Sequence, residues 1–199
     1  MVHQTPGTVV VIDQQPISCA LEQYLGSLAE TSNNRYDRTP HGEDYSHSSL
    51  RNASFTRQNL EKAKFGRSDL SYANFYGANL TKADFKRSVL HRANLQNVYG
   101  EKAKFDSADI SCAQLAGANF SDAKFKKADL READLRSANL RKAKFKEADL
   151  RNANLSQADF KDADLRGADL RGANLRDAKL KDARLEGALL PEGFSTRRR

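Results

Sequence analysis

From Leu50 to Leu190 a large apolar residue recurs at every fifth position with almost no interruption and no change of phase. Ala usually stands two before it, as in Ala128-Asp129-Leu130, Ala133-Asp134-Leu135, Ala138-Asn139-Leu140 and Ala143-Lys144-Phe145. Between Ser46 and Leu190 there are 29 such units; the centre is Leu or Phe in 27 and Ala lies two before it in 24. An amphipathic helix needs apolar residues three and four apart. A five-residue step advances about 500° and smears them around the whole helix. A flat strand fails too, because its faces alternate with period two and five is odd. A short extended stretch followed by a corner fits. Ala, polar, Leu run in, out, in, and the next two residues turn the chain at the surface. Successive coils then stack and bury a continuous core.

A longer period gives the number of sides. Phe65, Phe85, Phe105, Phe125 and Phe145 are centres twenty apart, and Phe55 and Phe75 repeat the interval. Lys64, Lys104, Lys124, Lys144 and Arg184 precede centres of that same column; of the basic residues at this position only Lys179 falls elsewhere. Every fourth unit therefore shares an environment, and a coil has four sides. The 29 units make about seven coils, a stack about 30–35 Å tall at ~4.8 Å per coil. Ser48, Ser68 and Ser88 replace Ala in one column, where a small hydroxyl can bond nearby backbone. Val98-Tyr99-Gly100 breaks the pattern, with Gly at the centre. Two solutions are open: Phe120, one coil on in the same column, fills the space, or the side bulges and turns Val98 or Tyr99 inward. Gly in a strand often marks a bulge. We expect one here; display of Tyr99 to a partner is one thing such a bulge can do, not the expectation.

The tandem A-(D/N)-L-x-x units resemble those of the pentapeptide-repeat proteins over residues 46–190. The resemblance implies an all-β solenoid, a right-handed quadrilateral β-helix; the handedness comes from it alone. An N-terminal capping helix completes the expected fold. Ile17, Ala20, Leu21, Tyr24, Leu25 and Leu28 lie on one face of a helix over about 17–30, and a coil stack needs its open ends covered. The expected division is an extension over 1–45 that ends in a polar linker (Ser32–Ser48 reads as loop), the repeat domain over 46–190, and a C-terminal tail over 191–199, where Pro191 and Gly193 close the coil and Ser195–Arg199 are expected to be disordered.

The chain has formal charge +7, unevenly spread. Residues 1–45 carry −4, the repeats +9 and the end +2. In the repeats Lys62, Lys64, Lys82, Lys102, Lys104, Lys124, Lys142 and Lys144 line one side, broken by Asp84 and Asp122. Elsewhere acidic and basic residues interleave, which reads as a solvated, weakly paired surface. Cys19 and Cys112 make neither a disulfide framework nor a metal site, and His3, His41, His47 and His91 lack ligand spacing. The N-terminus has no basic stretch before an apolar run, so the expected location is cytoplasmic. A plastid or thylakoid lumen is the alternative if a targeting segment has been removed, since the LPEG ending resembles that of some lumenal family members.

No nucleophile–base–orienter set and no glycine-rich phosphate loop is present, and the acidic residues are spread over a convex surface rather than gathered in a cleft. The expectation is a non-enzyme without cofactor, metal or small-molecule substrate. The leading reading is a protein-interaction or scaffold module for a protein with an acidic surface, with the eight lysines and Tyr99 as binding-surface candidates. The alternative is nucleic acid or an anionic membrane bound through the lysine stripe. A second copy docked through an exposed coil end is a further partner class. Some pentapeptide-repeat proteins modulate type II topoisomerases by imitating DNA; that requires a negative surface, and this basic repeat region lacks one.

Overall fold

The computed structural model describes residues 42–194, all in the second of the two units into which the chain divides, Arg35–Arg199. This unit is an all-β repeat solenoid. It is built from isolated parallel bridges rather than long strands, and each bridge joins residues twenty apart: Lys64 to Asp84, Asp69 to Val89, Asn74 to Asn94, Asn79 to Tyr99. Twenty residues thus hold four bridge positions and four corners. The helix expected over 17–30, most of the linker and the tail from Ser195 lie outside the described residues. Pairing starts at Asp44, inside the segment read as linker, and Tyr45 is already a core-facing centre.

Each unit disposes of its five backbone N–H groups in a fixed way. In the unit around Phe85, Ala83 donates to Leu80 O across the corner at 2.9 Å, and Asp84 donates to Ala63 O on the previous coil at 2.9 Å. Phe85 donates to Lys104 O on the next coil at 2.7 Å, and Arg87 donates to Asp106 O at 3.1 Å. The fifth, on Lys86, meets the Asp84 carboxylate at 3.1 Å. Buried or not, backbone donors need partners, and here the bridge residue's side chain supplies one. Every Asp or Asn at a bridge position from Asp44 to Asn174 makes this bond to the residue two on, among them Asn79, Asp129 and Asp169. This is the physical reason for the D/N in the repeat.

The corner has a price in backbone geometry. Its second residue is left-handed in every unit from His47 to Gly187, with φ between +55° and +72°. That is the type II turn pattern, here occupied mostly by Lys, Arg, Asn, Asp and Glu rather than Gly.

Inside, the rings of Tyr45, Phe65, Phe85, Phe105, Phe125 and Phe145 form one parallel stack, 4.7–5.0 Å apart and within 8° of coplanar. The twenty-residue column read from the sequence is therefore one physical column. Phe75 meets Phe65 and Phe85 edge-on at 5.7 Å, and Phe120 meets Phe105 and Phe125 edge-on at 5.5 Å. Ala63 through Ala168 fill the narrow slots beside the centres and are buried. Ser68 and Ser88 occupy that slot with structural hydroxyls: Ser68 Oγ donates to Tyr45 O and Ser88 Oγ to Phe85 O, both at 2.6 Å. The centres are fully buried only away from the ends; Leu50, Leu180, Leu185 and Leu190 are half-buried. Phe194 packs against the last coil, its N–H bonded to Pro191 O at 3.1 Å.

The expected bulge at Val98-Tyr99-Gly100 does not form. Tyr99 bridges Asn79 and Asn119 in register, and Gly100 N–H donates to Asn119 O at 2.7 Å. Phe120 takes the room instead: a Cβ placed on Gly100 would lie 2.4 Å from its Cε1. Val98 is buried in the slot normally held by Ala. Volume is exchanged between neighbouring coils, and the backbone has no reason to bend.

Candidate interaction surface

The bridge residues form four outward columns. Face 1 carries Asp44, Lys64, Asp84, Lys104, Lys124, Lys144, Asp164 and Arg184, directly outside the stacked rings. Face 2 carries Ser49, Asp69, Val89, Asp109, Asp129, Asp149, Asp169 and Leu189. Face 3 runs from Ser54 through Asn94 to Asn174, and face 4 from Asn59 through Tyr99 to Lys179.

Faces 1 and 2 handle charge oppositely. On face 2 Arg131, Arg151 and Arg171 each fork onto the aspartate two before them at 2.6 Å, and Arg131 and Arg151 also reach the next coil's aspartate at 3.8 Å. The result is a continuous ladder of alternating sign. The hydrogen bond from Arg171, against some opposing desolvation, holds the Asp169 carboxyl below its ordinary value. Arg166 on face 1 does the same to Asp164, bringing it to about 2.

The rest of face 1 is different. Lys64 pairs with Asp44 at 3.4 Å and Lys104 reaches Asp84 at 3.9 Å. Among the described residues Lys124 and Lys144 have no ion pair. Lys104, Lys124 and Lys144 bridge one another in succession, so three ammonium side chains leave adjacent coils with no carboxylate column position between them. The corner residues beside them, which include the other four lysine candidates, are only partly balanced. Lys62 and Lys102 pair with Glu61 and Glu101 at 3.2 and 2.6 Å, and Glu101 also attracts Lys82. Lys142, at the same corner, carries no ion pair among the described residues. On the other flank Lys127 and Lys146 share Glu147 at 3.4 and 3.6 Å.

The lysines also give up a structural bond. Where Lys stands at the bridge position, its own side chain offers no oxygen to the N–H two residues on. Gly66, Asp106 and Lys146 N–H lack the cap among the described residues, and Lys126 N–H takes Asp106 Oδ1 of the previous coil at 3.2 Å instead. Tyr99 likewise leaves Glu101 N–H uncapped and is 62% exposed. Sequence reasoning missed this bond, though its signal, Asp or Asn before most centres, was in view.

Two other places gather polar groups without the arrangement that chemistry needs. Asp109, Ser111 and His91 adjoin, but Ser111 Oγ donates to Asp109 at 2.6 Å, so His91 Nδ1, at 2.8 Å, must be the donor to Ser111. A nucleophile needs the reverse, with histidine accepting the hydroxyl proton. An open groove along the corner between faces 3 and 4 is lined by Gln96, Asn97, Gly117, Ser137, Ser156 and Arg176; its one carboxylate, Asp177, is paired with Arg176 at 3.5 Å. Among the described residues no cluster suited to a metal ion occurs, and no helix is long and apolar enough to cross a membrane.

The description "Pentapeptide repeats (8 copies)" matches residues 48–87, 83–122, 118–157 and 153–190, so nearly the whole described coil is covered. The chain belongs to the pentapeptide repeat family. Among solved structures, a pentapeptide repeat protein, Rfr23, from the cyanobacterium Cyanothece 51142 is 35% identical over 51% of this chain, with a TM-score of 0.33. The match spans 63% of that protein, under two thirds of its length. QnrB1, a plasmid-mediated fluoroquinolone resistance protein, is 24% identical, with 78% of this chain and 86% of that one covered and a TM-score of 0.48. HetL from Nostoc sp. strain PCC 7120, involved in heterocyst differentiation regulation, is 25% identical over 91% of this chain and 99% of its own, with a TM-score of 0.28. No curated protein matches the chain.

Proposed function

We propose that this pentapeptide repeat protein is a non-catalytic interaction module: a right-handed, four-sided coil of about seven turns whose face 1 docks a protein with an acidic surface. The observation that carries the reading is the row Lys104, Lys124 and Lys144, repeated on three successive coils. A bridge position is where this fold wants Asp or Asn. The row leaves the N–H of Asp106 and of Lys146 without the cap, a hydrogen bond worth about 0.5–1.5 kcal/mol each, and sets like charges roughly 4.8 Å apart. Face 2 shows that the same architecture accepts a self-neutralised surface, so nothing in folding calls for the row. An anionic partner accounts for it, with Lys62, Lys64, Lys82, Lys102 and Lys142 as its flanks. The same charges suit a phosphate-bearing surface, duplex nucleic acid or anionic lipid, which makes those the competing reading.

The test is to replace Lys104, Lys124 and Lys144 together with Asn. The change restores the caps, so the variant is expected to unfold at equal or higher denaturant concentration than the parent. Its affinity for fluorescent poly-glutamate is expected to drop about tenfold or more, and the parent's binding to weaken as salt shortens the range of the attraction to about 8 Å and below. Equal affinity for parent and variant refutes the assignment of face 1.

A further inference from the structure

Resting on that reading of face 1, we infer that Tyr99 is the anchor of the same interface, and that the partner is a protein setting an apolar side chain or pocket beside its acidic groups.

Tyr99 stands on face 4 where the pattern places Asn. Below it Asn79 Nδ2 donates to Asn59 Oδ1 at 2.9 Å, and above it Asn139 Nδ2 donates to Asn119 Oδ1 at 2.9 Å. Tyr99 bridges Asn79 and Asn119 and interrupts that ladder. It also leaves Glu101 N–H without its cap. The core does not require it: Phe120 fills the space at Gly100 from inside, and the Tyr99 ring faces out. The exchange of Gly100 for Phe120 explains the residue at 100 and leaves the residue at 99 unexplained by packing.

The ring is bare. The other described tyrosines outside the core are covered by cations: Arg51 and Arg92 lie over Tyr72 at 5.7 and 5.9 Å, and Arg57 over Tyr76 at 6.0 Å. Among the described residues no ring or guanidinium packs on Tyr99. Among the described residues it is the most exposed of the large hydrophobic side chains, at 62%. Its place matters as much. Tyr99 immediately precedes the corner bearing Lys102 and leads onto face 1 at Lys104, the first lysine of the row. Three residues of chain span at most about 10 Å, so ring and ammonium groups fit one footprint. A bare aromatic beside a basic rim is the composition of a protein-binding hot spot.

The competing occupants fit less well. Single-stranded nucleic acid binds by stacking successive bases on several aromatic rings, and Tyr72 and Tyr76 lie at other corners. Duplex phosphates and a lipid headgroup layer use the charges and leave the ring without a role.

The variant Tyr99→Asn separates these cases, because it restores both the ladder and the cap and so keeps the fold. The probes are two glutamate-rich peptides, one with a central phenylalanine and one with serine there, together with single-stranded DNA, duplex DNA and phosphatidylserine vesicles. The parent is expected to prefer the phenylalanine peptide, and Tyr99→Asn to lower that affinity about tenfold while leaving the serine peptide unchanged. The triple lysine variant is expected to lose both. Equal binding of the two peptides by the parent, or an unchanged affinity in Tyr99→Asn, overturns the anchor while leaving face 1 standing. Tighter binding of single-stranded DNA than of either peptide, lost in Tyr99→Asn, overturns the protein partner, as does tighter binding of duplex DNA or vesicles with no effect of Tyr99→Asn. Failure of both peptides to bind the parent sinks the reading of face 1 and the anchor with it.

Discussion

Gly100 and Phe120 should behave as one packing unit, and a double-mutant cycle measures how strongly. Gly100 is not in the left-handed region, so a side chain there meets steric resistance alone. That resistance is firm: the new Cβ would sit 2.4 and 2.5 Å from Phe120 Cε1 and Cδ1. The Phe120 ring is fully buried and wedged edge-on between Phe105 and Phe125, so it has nowhere to swing. Gly100→Leu overpacks the core at a cost of about 1–3 kcal/mol, reduced by roughly 0.4–1 kcal/mol because leucine restricts the unfolded chain. Phe120→Leu leaves the space above Gly100 empty and forfeits two edge contacts, costing about 1.5–3 kcal/mol. The double variant puts Leu at both centres, as at Leu80 and Leu140 of the same column. It should lose less than about 1 kcal/mol, giving a coupling of about 2 kcal/mol in favour of the pair. Adding Val98→Ala completes the regular unit and removes residual crowding. Urea unfolding reads all of these, with the slopes compared across variants because stacked repeats can depart from two-state behaviour. If the two single costs add in the double variant to within about 0.5 kcal/mol, the exchange of volume between these coils is wrong.

Two further outcomes follow from the same geometry. Asp164 has its pKa brought down to about 2 from the ordinary 3.8 by the Arg166 hydrogen bond, so its contribution is full above the unfolded value and is lost as pH falls through about 2. Asp164→Asn keeps the cap through its Oδ1 but does not titrate, so the stability gap between parent and variant, followed by circular dichroism melts, should shrink from about pH 5 to about pH 2; a gap that stays constant contradicts the assignment. Ser88→Ala should change stability by less than about 0.5 kcal/mol, because Phe85 O keeps the Ser88 N–H at 3.1 Å, whereas Ser68→Ala also takes the Ser68 Oγ acceptor from Ser48 N–H, at 3.3 Å, and should cost about 1 kcal/mol; equal effects in denaturant titrations count against the two roles.

The period of five and the longer period of twenty were legible because burial acts on every unit alike. A residue two before the centre and the centre itself must both face inward, so the interior leaves an unbroken trace. Tyr45 escaped because Tyr is outside the Leu/Phe pattern and Glu43 holds its Ala slot. The left-handed corners left no trace, since the stack imposes φ near +60° on Arg57, Lys82 and Glu132 as readily as on Gly77. Gly100 misled for a physical reason: one missing side chain fits a bulge or a neighbour's ring equally well in one dimension. Of the candidate surface, the lysine column could be read from spacing alone. Which lysines lack carboxylates, and which tyrosine lacks a covering cation, depends on where flexible chains end, and spacing does not determine that.

The assignment of the bridge side chain as a cap carries much of the functional reading, and Val89 tests it away from the lysines. Val89 sits on face 2 between Asp69 and Asp109, exposed, and offers no oxygen to the N–H of His91. Asp69 and Asp109 both make that bond at 3.0 Å to Ser71 and Ser111. Val89→Asn should supply the missing acceptor without adding a third negative charge to the column, and should stabilise by about 0.5–1.5 kcal/mol. Val89→Ala, which removes the same exposed methyl groups without adding an oxygen, is the control and should gain nothing. If Asn and Ala unfold at the same urea concentration, the bridge oxygen contributes nothing net to stability. The absence of Asp or Asn at Lys104, Lys124, Lys144 and Tyr99 would then cost the fold nothing. Those four residues would lose their claim to be there for a partner.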